Sequence, residues 1–325
     1  MVKKFALFLY HKPYITGQVI LLLTISLFLP PPRLALSNLN AQFRILNKSQ
    51  YPFDNFSKIK IPPYPTRTLN QPLPTLTAKA FLVKDLDSKV TIAASNPNQP
   101  LPIASLTKLM TALVALQTYP PKSVIPITID SDLIEGQKIG LKTGEKYTLE
   151  ALVAAAIISS ANDAALNLAA YHPQGIPGFV QAMNTTAQRL HMTNTHFTNP
   201  VGYDDPNHYS TVTDLSILAE TVLSNPLITA FAQTPLMRMI EVGSGRIITL
   251  KTTNDLLGKY PGILGLKTGW TQKAGECLIS LVESSQNHWY LTIILGSQDR
   301  FGETLLLKNW VDQNIKWVNL PPFNP

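Results

Sequence analysis

Apolar residues near the two ends of the main body follow the short runs that are typical of strands. Residues 78–83 and 90–94 are rich in β-forming side chains, and the polar segment between them predicts a hairpin. Residues 277–283 and 289–295 predict two more strands, joined by a turn over residues 284–287. These elements predict an antiparallel sheet with strands from both chain ends.

The middle of the chain has the spacing of helices instead. Between residues 105 and 118, apolar side chains recur every three or four positions, which predicts a mostly buried helix, and residues 149–159 are apolar nearly all round. Four further segments predict helices: 164–170, 179–190, 213–223 and a closing helix at about 302–315. The sequence therefore predicts an α+β fold, with helices flanking the sheet, an all-α lobe formed by the central helices, and an active-site cleft between them.

The first 75 residues differ from the body in composition. Lysines precede an apolar run over residues 15–29 and three prolines follow it, which is the order of an export signal. That run would form ~22 Å of helix, short of the ~30 Å hydrocarbon core of a bilayer. A cleaved signal peptide and an uncleaved membrane anchor are therefore both open for residues 1–37. Residues 38–75 are rich in proline and predict an extended basic linker.

The net charge of +7 comes from this N-terminal part, because residues 1–75 carry +8 and the remainder carries −1. A near-neutral body offers no basic surface, so we expect no nucleic-acid partner. The only cysteine, Cys277, excludes an internal disulfide framework, and the six histidines include no His-x-x-x-His pair. We therefore expect neither a metal site nor another cofactor.

Ser105 and Lys108 stand three positions apart where the first predicted helix begins. This spacing places both side chains on one face of the helix, so the amine can reach the hydroxyl. Burial lowers the pKa of a lysine from its usual ~10.4, and a neutral lysine can remove the proton that makes a serine hydroxyl a weak nucleophile. The same pattern at Ser57 and Lys60 lies in the proline-rich segment, where no helix would hold the geometry, and we reject it.

Two further short motifs offer groups that such a nucleophile needs. Ser160 and Asn162 follow the apolar helix and supply a hydroxyl and an amide, although this pair alone is equally typical of a polar helix cap. The triplet at residues 267–269, Lys-Thr-Gly, precedes strand 277–283 and suits an extended substrate that carries a carboxylate. Second copies of these two motifs, at 285–287 and 142–144, are better explained as turns.

The ordered set of Ser-x-x-Lys, Ser-x-Asn and Lys-Thr-Gly is the signature of penicillin-recognising serine enzymes. Over about residues 78–310, the chain resembles the serine-type D-alanyl-D-alanine carboxypeptidases, the low-molecular-mass penicillin-binding proteins. The matching segments are 102–105, 160–164, 195–202, 210–215 and 265–275. This resemblance implies the β-lactamase/transpeptidase-like fold, with a catalytic domain over residues 76–320. Many members also carry a C-terminal β domain, and in this departure from the family we expect none here.

The resemblance also implies a reaction. Ser105 would attack the carbonyl between the two terminal D-alanines of a peptidoglycan stem peptide, Lys108 would take its proton, and Ser160 would relay a proton to the leaving amine. Water would then release the acyl-enzyme. β-Lactams are implied as covalent inhibitors, and the implied location is extracytoplasmic, secreted or attached to the membrane through the N-terminus.

The same resemblance implies a substrate-binding set, which consists of Asn162, Lys267, Thr268, Gly269, Trp270 and Thr271. Within it, Asn162 would hold the substrate amide, the lysine and threonines would meet the terminal carboxylate, and the backbone N–H groups of Ser105 and Trp270 would form the oxyanion hole. Three residues are implied as structural supports: Asp163, Asn199 and Gly202. We interpret His196 as an ordered polar residue that packs the helical lobe.

Two alternatives to the carboxypeptidase function stay open. One keeps the acyl-enzyme but acts as an endopeptidase, a transpeptidase or a β-lactamase. Fast β-lactam hydrolysis is disfavoured, because the nearest match to the deacylating Glu-x-x-Leu-Asn motif, at residues 220–224, lacks the asparagine and lies in a predicted helix. The other alternative is a penicillin-binding sensor that does not turn over, although no signalling domain accompanies the body.

Overall fold

The computed structural model describes residues 62–319, which contain eleven strands and seven α-helices. The strands are β1 (Tyr64–Arg67), β2 (Ala80–Asp85), β3 (Thr91–Ser95), β4 (Val124–Pro126), β5 (Lys146–Thr148), β6 (Leu236–Ile240), β7 (Ile247–Lys251), β8 (Ile263–Thr271), β9 (Gly275–Glu283), β10 (Trp289–Ser297) and β11 (Ile315–Val318). The helices are α1 (Lys108–Thr118), α2 (Leu149–Ile158), α3 (Asn162–Ala170), α4 (Gly175–Arg189), α5 (Val212–Leu223), α6 (Pro226–Ala232) and α7 (Arg300–Asn314).

Five strands form one antiparallel sheet in the order β3-β2-β10-β9-β8. Its members come from both ends of the body, so the predicted α+β fold and sheet are confirmed. β8 lies at one edge, and its one hydrogen-bonded neighbour in the sheet is β9. The Lys-Thr-Gly motif lies on this edge strand.

Side chains of β10 alternate between the two faces of the sheet, as the period of a strand requires. Leu291 and Ile293 pack into the larger apolar cluster, which includes helices α1 to α6. Tyr290 and Ile294 point to the opposite face and pack with α7 through Leu307. The sheet therefore separates the helical lobe from the closing helix, and β8 marks the side on which lobe and sheet meet.

No single helix within residues 62–319 is long and apolar enough to cross a membrane. One bent pair, α5 with α6 at 107°, meets the criteria of length and composition. The predicted signal or anchor at residues 1–37 lies outside the described part of the chain.

The described part of the body includes residues that the sequence predicted to be linker. β1 falls inside the segment expected to be linker, and it pairs with β11 in antiparallel register, Tyr64 opposite Val318 and Arg67 opposite Ile315. Beyond this strand, the Trp310 indole N–H donates to the Pro72 carbonyl at 2.9 Å. Part of the proline-rich segment, from residue 62 onward, is therefore packed against the closing helix rather than free of the body; residues 38–61 lie outside the described part.

Candidate active site

Ser105 lies in a 3₁₀ turn, Ala104–Thr107, that leads directly into α1. The sequence predicted one continuous helix from Ser105, and the difference matters because side chains three apart eclipse one another in a 3₁₀ turn. The Lys108 Nζ donates to the Ser105 Oγ at 2.7 Å and to the Val201 carbonyl at 2.9 Å. The predicted contact between amine and hydroxyl is therefore present.

Lys108 is fully buried, with 0% of its surface exposed. Burial, and next the charge of Lys267, hold the pKa of Lys108 well below its usual value, whereas Asp163 opposes this shift. A lysine in these surroundings is available as a neutral amine, which can accept a proton from Ser105.

Ser160 occupies the short break between α2 and α3, in a left-handed conformation with φ of +56°. Its neighbour Ser159 fixes this break to β7, because the Ser159 Oγ accepts from the Lys251 N–H and donates to the Lys251 carbonyl, both at 3.0 Å. Such a conformation is uncommon for a residue with a side chain and persists where surrounding contacts hold it. Here it leaves Ser160 at the wall of the same cleft as Ser105.

Asn162 begins α3 and also lines this cleft. Its side-chain amide donates to the Glu135 carbonyl at 2.8 Å. Its backbone N–H donates to the Gln137 carbonyl at 2.7 Å. Both contacts hold the start of α3 against the loop over residues 131–141, so the position of Asn162 in the cleft depends on this loop.

The buried carboxylate of Asp163 holds the same loop. It accepts hydrogen bonds from the backbone N–H groups of Gly140 and Leu141 at 3.0 and 3.2 Å. Asp163 therefore has the contacts of a structural support, and the loop that it fixes forms one wall of the cleft through residues 135–137.

The Lys-Thr-Gly motif lies on β8, opposite the serine motifs. Lys267 is 2% exposed, and burial, followed by the charge of Arg300, lowers the pKa of Lys267 to about 7. The Thr268 hydroxyl shares a 2.6 Å hydrogen bond with the Thr253 hydroxyl, which also faces the cleft. Thr253 belongs to no motif, so no local pattern in the sequence marks it.

Gly269 is required by a close approach between β8 and the nucleophile turn. A Cβ at this position would lie 3.0 Å from the Ile103 carbonyl oxygen and 3.1 Å from the Ser105 backbone nitrogen. The strand and the turn therefore touch at the backbone. Trp270 follows on the strand with its side chain 63% exposed at the rim of the cleft.

Thr271 has contacts that the sequence did not predict. Its hydroxyl donates to the Asp204 carboxylate at 2.6 Å and accepts from the Ala274 N–H at 3.0 Å. The hydroxyl proton is thus engaged with a carboxylate of the protein, and in this conformation it is not free to bind the carboxylate of a substrate.

Arg300 lies in the site but was not predicted from the sequence, because it belongs to none of the motifs. It begins α7, lines the cleft, and donates from Nη1 to the Gly269 carbonyl at 2.8 Å. Neither Lys267 nor Arg300 forms an ion pair with a carboxylate among residues 62–319. The site is therefore rich in positive charge and suits an anionic ligand.

The cleft between lobe and sheet has a volume of about 590 Å³. Most of the predicted site residues line it: Ser105, Ser160, Asn162, Thr268, Gly269, Trp270 and Thr271. Lys108 and Lys267 lie buried behind this surface. One groove therefore contains a nucleophile paired with a lysine, a second hydroxyl, an amide and a positively charged strand. These are the groups that acyl transfer requires.

The rejected copies of the motifs lie elsewhere in the body. Lys142 contacts Asp132 at 2.9 Å and Asp130 at 3.3 Å on an exposed turn. Asn287 adopts a φ of +61° in the turn between β9 and β10. The first copy, at residues 57–60, lies outside the described part of the chain.

His196 differs from its interpretation as a packing residue of the helical lobe. It is exposed, and its Nδ1 contacts the Asn207 carbonyl at 2.6 Å. The histidine therefore fastens a surface loop, and the interior of the lobe is packed by other side chains.

A comparison with protein families matches residues 66–298 to the peptidase S11 family, described as D-alanyl-D-alanine carboxypeptidase. The chain belongs to this family. The resemblance inferred from its motifs is therefore confirmed, and the protein is a serine peptidase.

Individual relatives of this peptidase carry two different activities in their names. It is 31% identical over 242 residues to the D-alanyl-D-alanine endopeptidase of Pseudomonas aeruginosa, covering 73% of this chain and 78% of the relative. It is 29% identical to the D-alanyl-D-alanine carboxypeptidase DacF of Bacillus subtilis, covering 68% of this chain but 57% of that protein.

Solved structures confirm the expected fold of the peptidase. The DD-transpeptidase of Streptomyces K15 superposes with a TM-score of 0.70 at 26% identity, covering 74% of this chain and 99% of that one. Penicillin-binding protein D2 of Listeria monocytogenes, in a cefotaxime-bound form, gives a TM-score of 0.64 at 28% identity, covering 74% and 99%. The β-lactamase/transpeptidase-like fold predicted from the motifs is thus confirmed.

Proposed function

We propose that the protein is a D-Ala-D-Ala carboxypeptidase that removes the terminal D-alanine from peptidoglycan stem peptides through an acyl-enzyme on Ser105. The observation that carries this proposal is the 2.7 Å contact between the buried Lys108 amine and the Ser105 hydroxyl, in a cleft shared with Ser160 and the Lys-Thr-Gly strand. Family membership supports the substrate class, and this contact supports Ser105 as the nucleophile and Lys108 as its base.

In the acylation step, neutral Lys108 takes the hydroxyl proton while the Ser105 oxygen attacks the carbonyl carbon of the scissile bond. The negative charge that develops on the carbonyl oxygen is held by the backbone N–H groups of Ser105 and Trp270. Gly269 packs closely against the Ser105 turn and so brings the strand next to the nucleophile. This packing supports an oxyanion hole made of the Ser105 and Trp270 N–H groups. Ser160 then passes the proton held by Lys108 to the nitrogen of the departing D-alanine as the C–N bond breaks, which leaves the peptide as an ester on Ser105.

In the deacylation step, Lys108, which is neutral again, takes a proton from the water molecule that attacks the ester carbonyl, and the Ser105 oxygen receives this proton when the ester bond breaks. Asn162 holds the amide of the remaining peptide through this cycle. Glu220 takes no part, because it lies on α5 and pairs with Lys84 at 2.7 Å and Lys89 at 2.9 Å. Rapid hydrolysis of β-lactams by a glutamate of this segment is therefore not proposed.

We assign recognition of the substrate carboxylate to Thr268, Lys267 and Arg300. Lys267 is buried directly behind the cleft and Arg300 lies half-buried in its wall, so both cations can attract an anion that binds there. Thr271 is left out of this set, because its hydroxyl proton is engaged with Asp204. We assign Thr271 to shaping the end of β8 instead.

Two measurements on the purified full-length protein test the proposal. Incubation with a peptide ending in D-Ala-D-Ala should release free D-alanine, and Ser105→Ala should abolish the release. Mass spectrometry after exposure to penicillin should find one added drug molecule, mapped to Ser105. Absence of D-alanine release by the wild-type protein, or a label on another residue, would contradict the assignment.

Endopeptidase activity on cross-linked peptidoglycan is a second candidate function. It is favoured by the similarity to the endopeptidase of Pseudomonas aeruginosa, which this chain matches over 78% of that protein's length. Cross-linked muropeptides distinguish the two, because an endopeptidase converts dimers into monomers, whereas a carboxypeptidase only shortens their free ends.

We further propose that the body acts outside the cytoplasm, delivered by the N-terminal segment either as a cleaved signal or as an anchor. The order of charge, apolar run and prolines in residues 1–37 supports this. The N-terminal sequence of the mature protein, determined from membrane and soluble fractions, decides between the two forms.

A further inference from the structure

We propose that His208 is a positioning residue for catalysis, which acts through Thr107 to hold the carbonyl group that directly precedes the nucleophile. The inference rests on the proposed function of Ser105. His208 lies in none of the three motifs, does not line the catalytic cleft, and is 2% exposed.

A short chain of hydrogen bonds connects His208 to the nucleophile turn. The Nε2 atom of His208 lies 2.8 Å from the Thr107 Oγ1, and the Thr107 hydroxyl donates to the Ala104 carbonyl at 2.8 Å. Ala104 is bonded directly to Ser105. Any movement of the histidine ring is therefore passed on, through one hydroxyl, to the residue that orients the nucleophile.

The contacts of the other ring nitrogen fix the direction of this chain. The backbone N–H of Thr198 donates to the His208 Nδ1 at 3.1 Å, and the amide of Asn199 lies 3.4 Å from the same atom. Nδ1 therefore accepts, and Nε2 carries the hydrogen and donates to Thr107. Thr107 then has its own hydrogen free for Ala104.

The ring stays neutral under ordinary conditions. Burial lowers the pKa of His208 to about 4, and His196 acts in the same direction, against the charges of Asp205 and Asp204. The second proton of an imidazolium would sit on Nδ1, where it would face the Thr198 N–H. The buried position thus keeps the one tautomer that donates to Thr107.

Ala104 needs such support because its backbone is strained. It adopts a φ of +48°, in the left-handed region that residues with a Cβ rarely adopt. Strained conformations persist where neighbouring contacts determine them, and they cluster at active sites. The Thr107 hydroxyl supplies one of those contacts, and the His208 ring fixes the rotamer in which it does so.

A pair of substitutions at His208 separates its two contacts. In His208→Gln, the side-chain amide can reach the position of Nε2 and still donate to Thr107. In His208→Asn, the shorter side chain can replace the acceptor at Nδ1 but cannot reach Thr107. We expect the rate constant of acylation by a fluorescent penicillin to fall about 10- to 100-fold in His208→Asn and much less in His208→Gln, since a displacement of about 1 Å can cost 10²-fold.

Substitutions at Thr107 provide the matched test from the other end of the contact. Thr107→Val keeps the shape but removes the hydroxyl, and it should slow acylation as much as His208→Asn, whereas Thr107→Ser should retain the rate. The double variant of Thr107→Val with His208→Asn should be no slower than either single variant, because both remove the same connection. Melting temperatures are measured for every variant, so that the acylation rate is compared among folded proteins.

The outcomes separate this inference from the proposed function. If the wild-type protein is not acylated at Ser105, the proposed function fails. If the wild type is acylated, three results overturn the inference: an unchanged rate in His208→Asn, equal rates in the two His208 variants, or multiplying effects in the double variant. Equal losses in His208→Asn and Thr107→Val, with no further loss in combination, support it.

Discussion

Gly202 offers a direct test of how rigidly the nucleophile turn is held. It lies in the loop that follows Asn199, whose side-chain oxygen accepts from the Gly202 N–H at 2.8 Å. Its φ is +90°, and a Cβ added there would lie 1.9 Å from the Ala104 carbonyl oxygen and 2.9 Å from the Thr107 hydroxyl oxygen. Gly202→Ala therefore pushes on the residue that precedes Ser105.

The size of the effect follows from these distances. Ordinary contact begins at 3.4 Å, so the Ala104 carbonyl and the loop must separate by about 1.5 Å to admit the methyl group. The left-handed backbone adds a cost of about 1–2 kcal/mol for a residue with a Cβ. A displacement of this size at the nucleophile should slow acylation by at least about 100-fold.

Gly144→Ala is a matched control for the backbone cost alone. Gly144 has a φ of +91°, almost the same as Gly202, but no atom lies within 4 Å of the position its Cβ would take. We expect Gly144→Ala to lower the free energy of unfolding by about 1–2 kcal/mol and to leave acylation unchanged. Gly202→Ala should lose more stability and most of its acylation.

The assay is the second-order rate of acylation by a fluorescent penicillin, with thermal unfolding measured on the same samples. A folded Gly202→Ala protein that acylates at the rate of Gly144→Ala would refute the reasoning. In that case, the loop would give way without disturbing Ser105, and the close approach to Ala104 would have no catalytic meaning.

Three other predictions concern charges in and around the cleft. Burial and the charge of Arg300 lower the pKa of Lys267 to about 7. We therefore expect kcat/KM for a D-Ala-D-Ala peptide to decline above about pH 7, because Lys267 loses its charge there. The variant Lys267→Arg keeps its proton, so the decline should disappear from its pH profile. Arg300→Leu should lower kcat/KM for the same peptide about 10- to 100-fold, because the bound substrate carboxylate loses the charge that pairs with it. For a peptide with an amidated C-terminus, kcat/KM should differ little between variant and wild type. Equal losses on both peptides would contradict a role of Arg300 in carboxylate binding. Glu220→Gln should leave the deacylation rate of a bound penicillin unchanged. It should lower the free energy of unfolding by no more than about 1 kcal/mol, because the lost contacts are ion pairs near the surface. Slower deacylation in this variant would show that Glu220 takes part in the reaction.

Much of the sheet could be predicted from the sequence, because β2, β9 and β10 are continuous apolar runs whose character does not depend on their neighbours. The hairpin of β6 and β7 was not predicted. Its first strand, Leu236–Ile240, contains two methionines and a leucine, which are residues that also favour helices. The pairing with β7, and not the local sequence, decides its conformation.

The site was predicted as far as its residues occur in short motifs. Ser105, Lys108 and Lys267 stand in patterns whose chemistry can be argued from spacing. Arg300 and His208 are single residues that reach the site or its supports only through the tertiary structure: Arg300 by the position of α7, and His208 by a loop that packs behind the nucleophile turn. A single sequence contains no local pattern that marks either residue.

The pairing of β1 with β11 and of β2 with β10 has a consequence for how the chain acquires its shape. Tyr64 faces Val318, and Ala80 faces Leu295, so these ladders join segments separated by more than 200 positions. The entropy of closing such long loops must be overcome before the contacts form, which makes folding slow and dependent on segments that are synthesised late. The export proposed for the N-terminal segment would therefore carry the chain across the membrane before its sheet closes, since the sheet becomes complete only after β10 has arrived.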